Sequence, residues 1–368
     1  MKNKIFFLPA SQIDNTGDVL INKVLLDELR KQGELIINDE KKPDWFLEEI
    51  GVLEAERLSS NTSSKFYDYL QSQMDEQKDL YKFFLVIHPG HTSRSGYKSA
   101  LYGDHGFLIT RFLRKLKRNG LTILRFGFSI GPFDWLNTLA EFFYTTVYKK
   151  YAVRDAESFS LGKKFHFRNM ELMPDLAWSY KNTSSLKDKE DPYIILSFRS
   201  NKFGSQHDSN YLRPIIEHLK QILPKDKKIK MVYQVKFDRD PAVEIFDNLS
   251  DTFDIEFIDK KLNLQDASDL YRDAEYIISN RLHVLLLGMV QQTIAFPLII
   301  SGDNDKIINI YKDNNLNHYL LSSLDDHSKN ILKMAEIIKD KDIHKLGLKD
   351  LINNNDRSIL DMISKTFV

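Results

Sequence analysis

The chain lacks cysteine altogether and has only 15 glycines in 368 residues. Without thiols it has no cysteine nucleophile, and it can form neither a disulfide framework nor a thiolate metal site. Long apolar runs are also missing, because the most apolar stretch, residues 284–300, is too short to span a bilayer and is interrupted by Gln291 and Gln292. Since the N-terminus shows no signal peptide either, we expect a soluble cytoplasmic protein.

Net charge is likewise absent, because 52 Lys and Arg balance 52 Asp and Glu. This balance argues against a uniformly basic nucleic-acid binder and against an acidic disordered tail protein. The charges are nevertheless distributed unevenly: residues 1–80 carry a net charge of −6, residues 81–185 of +9 and residues 186–368 of −3. The basic middle stretch is compatible with an anionic substrate or a membrane-facing acceptor.

Short apolar runs alternate with amphipathic stretches along most of the chain, as is typical of an α/β protein. We predict strands at 4–9, 83–88, 121–128, 151–153, 193–198, 229–235, 255–258 and 276–279. We predict helices at 18–32, 107–118, 135–150, 208–223, 240–249, 266–273 and 283–291, and in the last forty residues.

A polar stretch, residues 181–191, interrupts this alternation and is interpreted as a linker. We therefore predict two Rossmann-like, doubly wound domains, residues 1–185 and 190–345, that face a cleft and are followed by a helical tail, residues 346–368. Ligands of such sheets bind beyond the carboxyl ends of the strands.

Several well-known functional motifs are missing. The chain has no GxGxxG fingerprint, no GxxxxGK[ST] phosphate loop, no HExxH and no GxSxG. Asp238-Arg239-Asp240 resembles the paired-aspartate metal motif of some sugar-nucleotide transferases, but a pattern this short arises easily by chance. We interpret it as a charged loop before a helix that opens at Pro241, and we predict no metal site.

Polar residues follow the first two predicted strands of the N-terminal half. Asn15-Thr16-Gly17-Asp18 can bring backbone amides to the cleft, with Asn15 or Thr16 capping the helix and Asp18 at its positive end. Asp18 can also orient or activate a sugar hydroxyl, whereas helix capping alone is the simpler interpretation. The segment from His88 to Gly96, with His91 and Arg94, is predicted as a polar ligand loop or an ordinary surface turn.

Two arginines follow strands of the C-terminal half. Arg199 lies just past the strand 193–198, and Ser279-Asn280-Arg281-Leu282-His283 connects an apolar strand to an apolar helix. Arginine is suited to bidentate capture of phosphate or carboxylate, and a helix N-terminus favours anions. A histidine there can transfer a proton near neutral pH. The simpler interpretations are a surface arginine and a structural ion pair.

The ordered motifs of the chain resemble those of polysaccharide pyruvyl transferases. These motifs are NTGDVLI (15–21), FSIGP (128–132), AVRDAESFSLGKKF (152–165), MPDLAW (173–178), the strand around Gln234 and SNRLHVLLLG (279–288). SNRLH is the most specific of them, and the final 60 or so residues do not contribute. Family members often have a run of glycines where this chain has His88-Pro89-Gly90.

The resemblance implies a fold similar to GT-B glycosyltransferases, with the acceptor on the N-terminal side and phosphoenolpyruvate on the C-terminal side. The implied reaction forms a pyruvate ketal on two sugar hydroxyls, releases phosphate and needs no cofactor. The expected catalytic residues are Arg199, Arg281, His283 and Asp18. Expected phosphoenolpyruvate contacts come from Arg199, Gln234, Ser279, Asn280, Arg281 and His283, and expected acceptor contacts from Asn15, Asp18, His88, His91 and Arg94.

Two other functions remain open at this stage. A GT-B glycosyltransferase that uses a sugar nucleotide is the main alternative, although many retaining members hold the nucleotide ribose with a glutamate after this loop. No glutamate lies between Tyr276 and Ala335, which counts less against an inverting enzyme. A non-enzymatic protein that binds anions or glycans is the second alternative.

Local charge motivates a hypothesis about the acceptor. Residues 107–118 carry five positive and no negative side chains, and Trp135, Phe142, Phe143 and Tyr144 follow nearby. Basic amphipathic helices with aromatic residues can bind anionic lipid surfaces, whereas an ordinary solvated helix face is the simpler interpretation. We therefore expect a lipid-linked acceptor of surface or capsular polysaccharide synthesis, with peripheral membrane contact through 107–118 and 135–150. No nucleic-acid partner is expected.

Overall fold

The computed structural model describes residues 1–9, 13–182, 191–200, 207–300, 304–323 and 326–367. The chain divides into two compact units. The first contains Met1–Ile13, Asp18–Leu176 and Arg357–Val368, and the second contains Asp14–Gly17 and Ala177–Asp356. Most of the predicted linker, from 183 to 190, lies outside the described residues.

The first unit is an open parallel sheet with helices between its strands. The seven strands follow the order β2-β1-β3-β5-β6-β7, with β4 also paired to β5. The strands are β1 Lys2–Leu8, β2 Glu34–Ile37, β3 Tyr81–Ile87, β4 Gly90–Arg94, β5 Thr122–Phe133, β6 Tyr148–Val153 and β7 Met170–Leu172. The helices are α1 Thr16–Arg30, α2 Asp44–Ile50, α3 Leu58–Asn61, α4 Phe66–Gln77, α5 Tyr97–Tyr102, α6 Phe107–Arg118, α7 Trp135–Thr145 and α8 Ala156–Lys164.

The second unit contains a six-stranded parallel sheet in the order β10-β9-β8-β11-β12-β13. Its strands are β8 Tyr193–Ser197, β9 Lys228–Met231, β10 Ile255–Phe257, β11 Tyr276–Ser279, β12 Ile294–Ile299 and β13 Leu321–Ser322. Its helices are α9 Ser209–Ile222, α10 Arg239–Leu249, α11 Leu264–Asp273, α12 Leu282–Val290, α13 Asp305–Asp313, α14 His327–Lys339 and α15 Lys341–Thr366, the last of which ends in the first unit. The predicted α/β class with two parallel, Rossmann-like sheets is confirmed.

The strands at the centre of both sheets are buried on both faces. All five residues of β8 and all four of β11 are buried, as expected for parallel strands that are covered on each side by helices. In the first unit, Phe6, Phe7 and Leu85 are fully buried. Because these strands are continuous apolar runs, they can be predicted from the sequence.

Several predicted elements differ from the structure: the strand predicted at 229–235, for example, ends at Met231, so that Gln234 follows it. The helix predicted over 135–150 ends at Thr145, and the strand β6 begins at Tyr148. The predicted loop 88–96 is largely a strand, because β4 continues the line of β3 along β5 after an interruption at His88-Pro89. A proline in this position cannot donate a backbone hydrogen bond to a neighbouring strand, so the interruption follows from the sequence.

The observed units also depart from the predicted domain bounds. Asp14–Gly17 belongs to the second unit, and the last residues of the chain belong to the first. The Phe367 ring lies 4.7 Å from the Phe84 ring between centroids, and Asn3 donates a 3.2 Å hydrogen bond to the Phe367 carbonyl. These contacts hold the end of α15 on the first sheet. Within the described ranges, every helix is too short or too polar to cross a membrane.

Three of the motifs that carry the family resemblance form a buried polar network in the first unit. Ser129 donates a 2.6 Å hydrogen bond to Asp155 and accepts one of 2.9 Å from Arg154. Arg154 also pairs with Asp175 at 2.9 Å, while Asp155 caps α8 through the Ser158 amide. Because each of its charged side chains is hydrogen-bonded or ion-paired, this network stabilises the fold.

Candidate active site

Arg199 and Arg281 follow neighbouring strands of the second unit at equivalent positions. Strands β8 and β11 pair with Ser197 opposite Ser279, and each arginine lies two residues beyond its serine. Parallel strands end at the same edge of a sheet, so the register brings the two residues to one place. The structure therefore places the backbones of Arg199 and Arg281 at neighbouring positions on the carboxyl edge of the sheet.

Ser279 and Asn280, both predicted as phosphoenolpyruvate contacts, hold this arrangement together. The Ser279 hydroxyl donates to the Ser197 carbonyl at 2.5 Å and accepts from the Arg281 amide at 2.9 Å. The Asn280 amide accepts from the Arg199 backbone N–H at 2.8 Å and donates to its carbonyl at 3.0 Å. Their polar atoms therefore position the two arginines by fixing the backbone on either side.

Asp238 is the functional residue that the sequence interpretation missed. Instead of lying in a charged surface loop, its side chain is 1% exposed and forms an ion pair with the Arg281 guanidinium. Burial raises the pKa of Asp238, against the opposing effect of the positive charges of Arg281 and Arg199. Asp238 follows β9, which is the neighbour of β8. The sequence contains this aspartate after a predicted strand, but its place near the two arginines can be predicted only when the strand order is known.

The buried polar atoms at this edge that have no hydrogen-bond partner among the described residues include Gln234 Nε2, Asp238 Oδ2 and Arg281 Nε. Native proteins rarely leave buried polar atoms unsatisfied, and those that remain require an explanation. Two of the three are donors, on Gln234 and Arg281, and both are suited to an anionic ligand. Gln234 and Arg281 therefore retain capacity for hydrogen bonds to a substrate.

The segment 14–17 contributes to this same edge of the second unit. The Thr16 hydroxyl lies 3.3 Å from the Gln234 carbonyl and 3.1 Å from the Leu262 carbonyl. Gly17 lies directly against His283, since a Cβ atom built on Gly17 would be 2.1 Å from His283 Nδ1. Asn15 caps α1 by accepting a 3.0 Å hydrogen bond from the Gly17 amide, as the simpler interpretation predicts.

The remaining predicted acceptor residues belong to the first unit, and only some of them lie together. A Cβ atom on Gly90 would be 3.5 Å from Asp18 Oδ1, so the start of α1 adjoins the interruption between β3 and β4. His88 is half-buried next to it, and His91 is exposed on β4. Arg94 is turned away, because its guanidinium pairs with the fully buried Glu141 and donates to the His105 carbonyl.

A fully buried arginine, Arg125, holds the interrupted strand in place. It donates a 3.1 Å hydrogen bond to the His88 carbonyl and one of 2.7 Å to the Thr92 hydroxyl. The His88 Nδ1 atom lies 2.8 Å from the Pro89 carbonyl, which can only accept. This contact assigns the proton to Nδ1 and leaves Nε2 as an acceptor for a hydroxyl group.

Buried histidines make the stability of the first unit sensitive to acid. Burial, together with the charge of Arg125, lowers the pKa of His88 to about 4, and burial also lowers the pKa of His105 well below its usual value. Both histidines bind protons more weakly in the folded chain than in the unfolded chain. We therefore expect the free energy of unfolding to keep its full value above about pH 6.5 and to fall as the pH drops towards 4.

Urea unfolding at several pH values between 7.5 and 4.5 checks this prediction. His88→Asn, which retains a donor for the Pro89 carbonyl, should lose less stability over this interval than the unaltered protein. The control is His166→Asn, because His166 is exposed and has a φ of 56°, a conformation that asparagine tolerates. An unchanged pH slope in His88→Asn would show that His88 does not carry this acid sensitivity.

The edge in the second unit has the chemistry of a site for a small dianion. Two guanidinium groups supply charge-assisted hydrogen bonds in a fixed geometry, and the buried carboxylate of Asp238 orients one of them. His283 stands in the first turn of α12, where the positive end of the helix also favours an anion. Such a set has the groups needed to bind a small molecule with two acidic groups, and His283 adds an imidazole to the same edge.

Comparisons with solved structures show the same fold in sugar-nucleotide enzymes. A UDP-GlcNAc 2-epimerase of Neisseria meningitidis bound to UDP-GlcNAc is 12% identical, with a TM-score of 0.56 over 100% of this chain and 99% of that chain. UGT89C1 of Arabidopsis thaliana, complexed with UDP-L-rhamnose, is 9% identical, with a TM-score of 0.54 over 100% and 99%. These likenesses establish a GT-B-like fold and leave the substrate open.

Sequence comparison decides the family. No curated protein sequence matches significantly. The family model of polysaccharide pyruvyl transferases, in contrast, matches residues 15–302, which include every residue of both strand edges described above. It spans most of the chain and both units. The resemblance that the motifs indicated is thereby confirmed, and the chain belongs to the polysaccharide pyruvyl transferase family and is a transferase.

Proposed function

We propose that the protein transfers the enolpyruvyl group of phosphoenolpyruvate to two hydroxyls of a sugar, forming a pyruvate ketal and releasing phosphate. The observation that carries this proposal is the placement of Arg199 and Arg281 at equivalent positions, two residues beyond the paired ends of β8 and β11. Phosphoenolpyruvate carries a phosphate and a carboxylate on one small carbon frame. Two arginines at adjacent strand ends match these two groups in number and charge.

The reaction moves two protons: each of the two sugar hydroxyls loses one, and the methylene carbon and the departing phosphate each gain one. The methylene carbon of phosphoenolpyruvate takes up a proton, C2 becomes electrophilic, and one sugar hydroxyl adds to it and gives up its proton. A second hydroxyl then attacks the same carbon, its proton is released, and the C–O bond to phosphate breaks as the phosphate takes up a proton. His283 is our candidate for the transfer to the methylene carbon or to the departing phosphate.

The arginines supply the positive charge that this reaction needs. Charge develops on the phosphate as the C–O bond breaks, and preorganised guanidinium groups stabilise it at low dielectric. We therefore propose a reaction without a metal or another cofactor. Asp18 is the weaker candidate for activating the acceptor hydroxyl, with His88 and His91 on the same unit as further acceptor contacts.

A polysaccharide acceptor is implied by the family. We propose that this acceptor is a lipid-linked oligosaccharide of surface or capsular polysaccharide synthesis. Such an acceptor places the reaction at the inner face of the cell membrane, in peripheral contact with it.

Release of phosphate from phosphoenolpyruvate, measured against a panel of glycosides, tests the proposed reaction. We expect Arg199→Met to lower this rate about 100-fold to 1,000-fold, the usual cost of removing a preorganised charge-stabilising group. The matched control is Arg239→Met, since Arg239 is half-exposed and pairs with Asp259 at the surface. Consumption of a sugar nucleotide without phosphate release would overturn the proposal in favour of a glycosyltransferase, and absence of any turnover would favour a binding protein.

A further inference from the structure

Helix α7 of the first unit exposes a stripe of apolar side chains. Trp135 is 77% exposed, Leu139 42% and Phe143 38%. They are spaced four residues apart and therefore lie on one face of the helix. Single exposed apolar residues are common, but a continuous stripe of this kind marks a binding surface.

The neighbouring helices extend this apolar face. The Phe107 ring at the start of α6 lies 6.0 Å from the Phe143 ring between centroids, and Leu108 beside it is 50% exposed. Helix α5 adds Tyr97 and Tyr102, which are 66% and 68% exposed. Tryptophan and tyrosine combine an apolar ring with a polar group and are favoured where hydrocarbon meets water.

A basic cavity of about 690 Å³ lies where α6 passes the end of α7. Four cationic side chains line it and no acidic one does: Arg114, Lys117, Arg118 and Arg168. Its apolar wall is formed by Phe142 and Phe143. None of the four cations pairs with a carboxylate among the described residues. Uncompensated cations beside exposed aromatic rings suit an anionic partner that also has an apolar part.

Hydrogen bonds fix part of this cationic set to the backbone. Arg114 donates to the Thr146 hydroxyl at 3.1 Å, and Lys117 donates to the Thr146 carbonyl at 2.9 Å. Both side chains are thus anchored at the end of α7, beneath the apolar stripe. The charged groups of Arg114 and Lys117 are therefore held in fixed positions, which favours binding of a phosphate group.

We propose that this face, formed by α5, α6 and α7, binds the surface of an anionic lipid bilayer. The apolar stripe enters the interface, and the basic cavity takes the phosphate of a lipid headgroup. Each cation near an anionic membrane adds to the electrostatic attraction, so the four act together with the aromatic anchors. A second copy of the chain is a poorer occupant, because a symmetric contact would place these cations against each other.

The docking face is physically joined to the acceptor side of the first unit. The Gly96 amide, just beyond β4, donates a 2.6 Å hydrogen bond to Asp134, the N-cap of α7. Asn137 of α7 donates in return to the Gly96 carbonyl at 3.1 Å. Membrane binding through α7 thus fixes the strand that carries His91 relative to the lipid surface. The claim that membrane binding serves a lipid-linked acceptor rests on the proposed function. The claim that this face binds the membrane does not.

Sedimentation of the full chain with vesicles tests the docking surface. Vesicles of phosphatidylcholine with 30% phosphatidylglycerol should bind the protein at least 10-fold more tightly than pure phosphatidylcholine, and 0.5 M NaCl should abolish this preference. The charge variant combines Arg114→Gln, Arg118→Gln and Arg168→Gln and should lose the preference. The matched control removes three exposed lysines elsewhere, at Lys339, Lys341 and Lys349, and should keep it.

The apolar stripe is tested separately. Leu139→Ser with Phe143→Ser should weaken vesicle binding about 10-fold or more while leaving the circular dichroism spectrum unchanged, since both side chains are more than one-third exposed and lie outside the core of the unit. Equal recovery with neutral and anionic vesicles would overturn the proposal, and so would a stable dimer that these substitutions dissociate. Phosphate release with a water-soluble glycoside should be unchanged in all these variants. If the unaltered protein released no phosphate, the proposed reaction would be contradicted, whereas the inference about vesicle binding would not be affected.

Discussion

Replacing Gly17 with alanine should lower turnover about 100-fold or more, because the added methyl group has no room beside His283. A Cβ atom on Gly17 would lie 2.1 Å from His283 Nδ1, 2.6 Å from Cγ and 2.8 Å from Cβ. Contact with Cβ means that a rotation of the ring alone does not relieve the clash. Either the imidazole or the segment 14–17 must move, and a displacement of about 1 Å at a catalytic group is enough for such a loss.

Steady-state kinetics with phosphoenolpyruvate, combined with thermal unfolding, checks the effect of Gly17→Ala. The control is Gly347→Ala, because Gly347 lies in α15 with nothing within 4 Å of an added Cβ atom. That substitution should leave turnover unchanged and raise the free energy of unfolding by about 0.5–1 kcal/mol, since alanine is the better helix former. Normal turnover in Gly17→Ala would contradict the assignment of a precisely positioned catalytic imidazole at residue 283.

Apolar runs made the strands of this fold predictable, whereas tertiary contacts decided the ends of some helices. The strand 276–279 and the helix 107–118 have the predicted bounds. The helix predicted over 135–150 stops at Thr145, although neither glycine nor proline marks an end there. Its last turn is capped by Lys117 and Arg114 of α6, which lie about 30 residues earlier in the chain and are not a local signal.

In the candidate site, the sequence predicted only the residues that closely follow a recognisable apolar strand. Arg199, Arg281 and His283 follow strands whose apolar pattern is plain. Asp238 was interpreted as part of a charged loop before a helix, and its neighbours Arg239 and Asp240 are indeed exposed. Its burial depends on β9 lying beside β8, and strand order does not follow from the pattern of a single strand. The approach of segment 14–17 to His283 is likewise a contact across more than 200 residues.

Breaking the ion pair between Arg281 and Asp238 should cause the second large effect, a loss of folding stability. Arg281→Met leaves a carboxylate that is 1% exposed without its cation. Breaking one side of a buried pair costs about 3–5 kcal/mol of folding stability. Without the lowering influence of Arg281, burial raises the pKa of Asp238 further. The folded chain then holds this proton more strongly than the unfolded chain does. The loss of stability should therefore be largest near pH 7 and smaller near pH 4, as urea unfolding at both values checks.

A double variant separates the structural from the chemical role of Arg281. Leucine has nearly the shape of aspartate, and buried ion pairs can often be exchanged for apolar residues of similar volume without loss of stability. Arg281→Met combined with Asp238→Leu should therefore regain most of the stability at pH 7. Turnover should remain about 100-fold to 1,000-fold below that of the unaltered protein, because the charge that binds the donor is still missing. If turnover returned together with stability, Arg281 would serve the fold alone, and the donor site would have to be sought elsewhere.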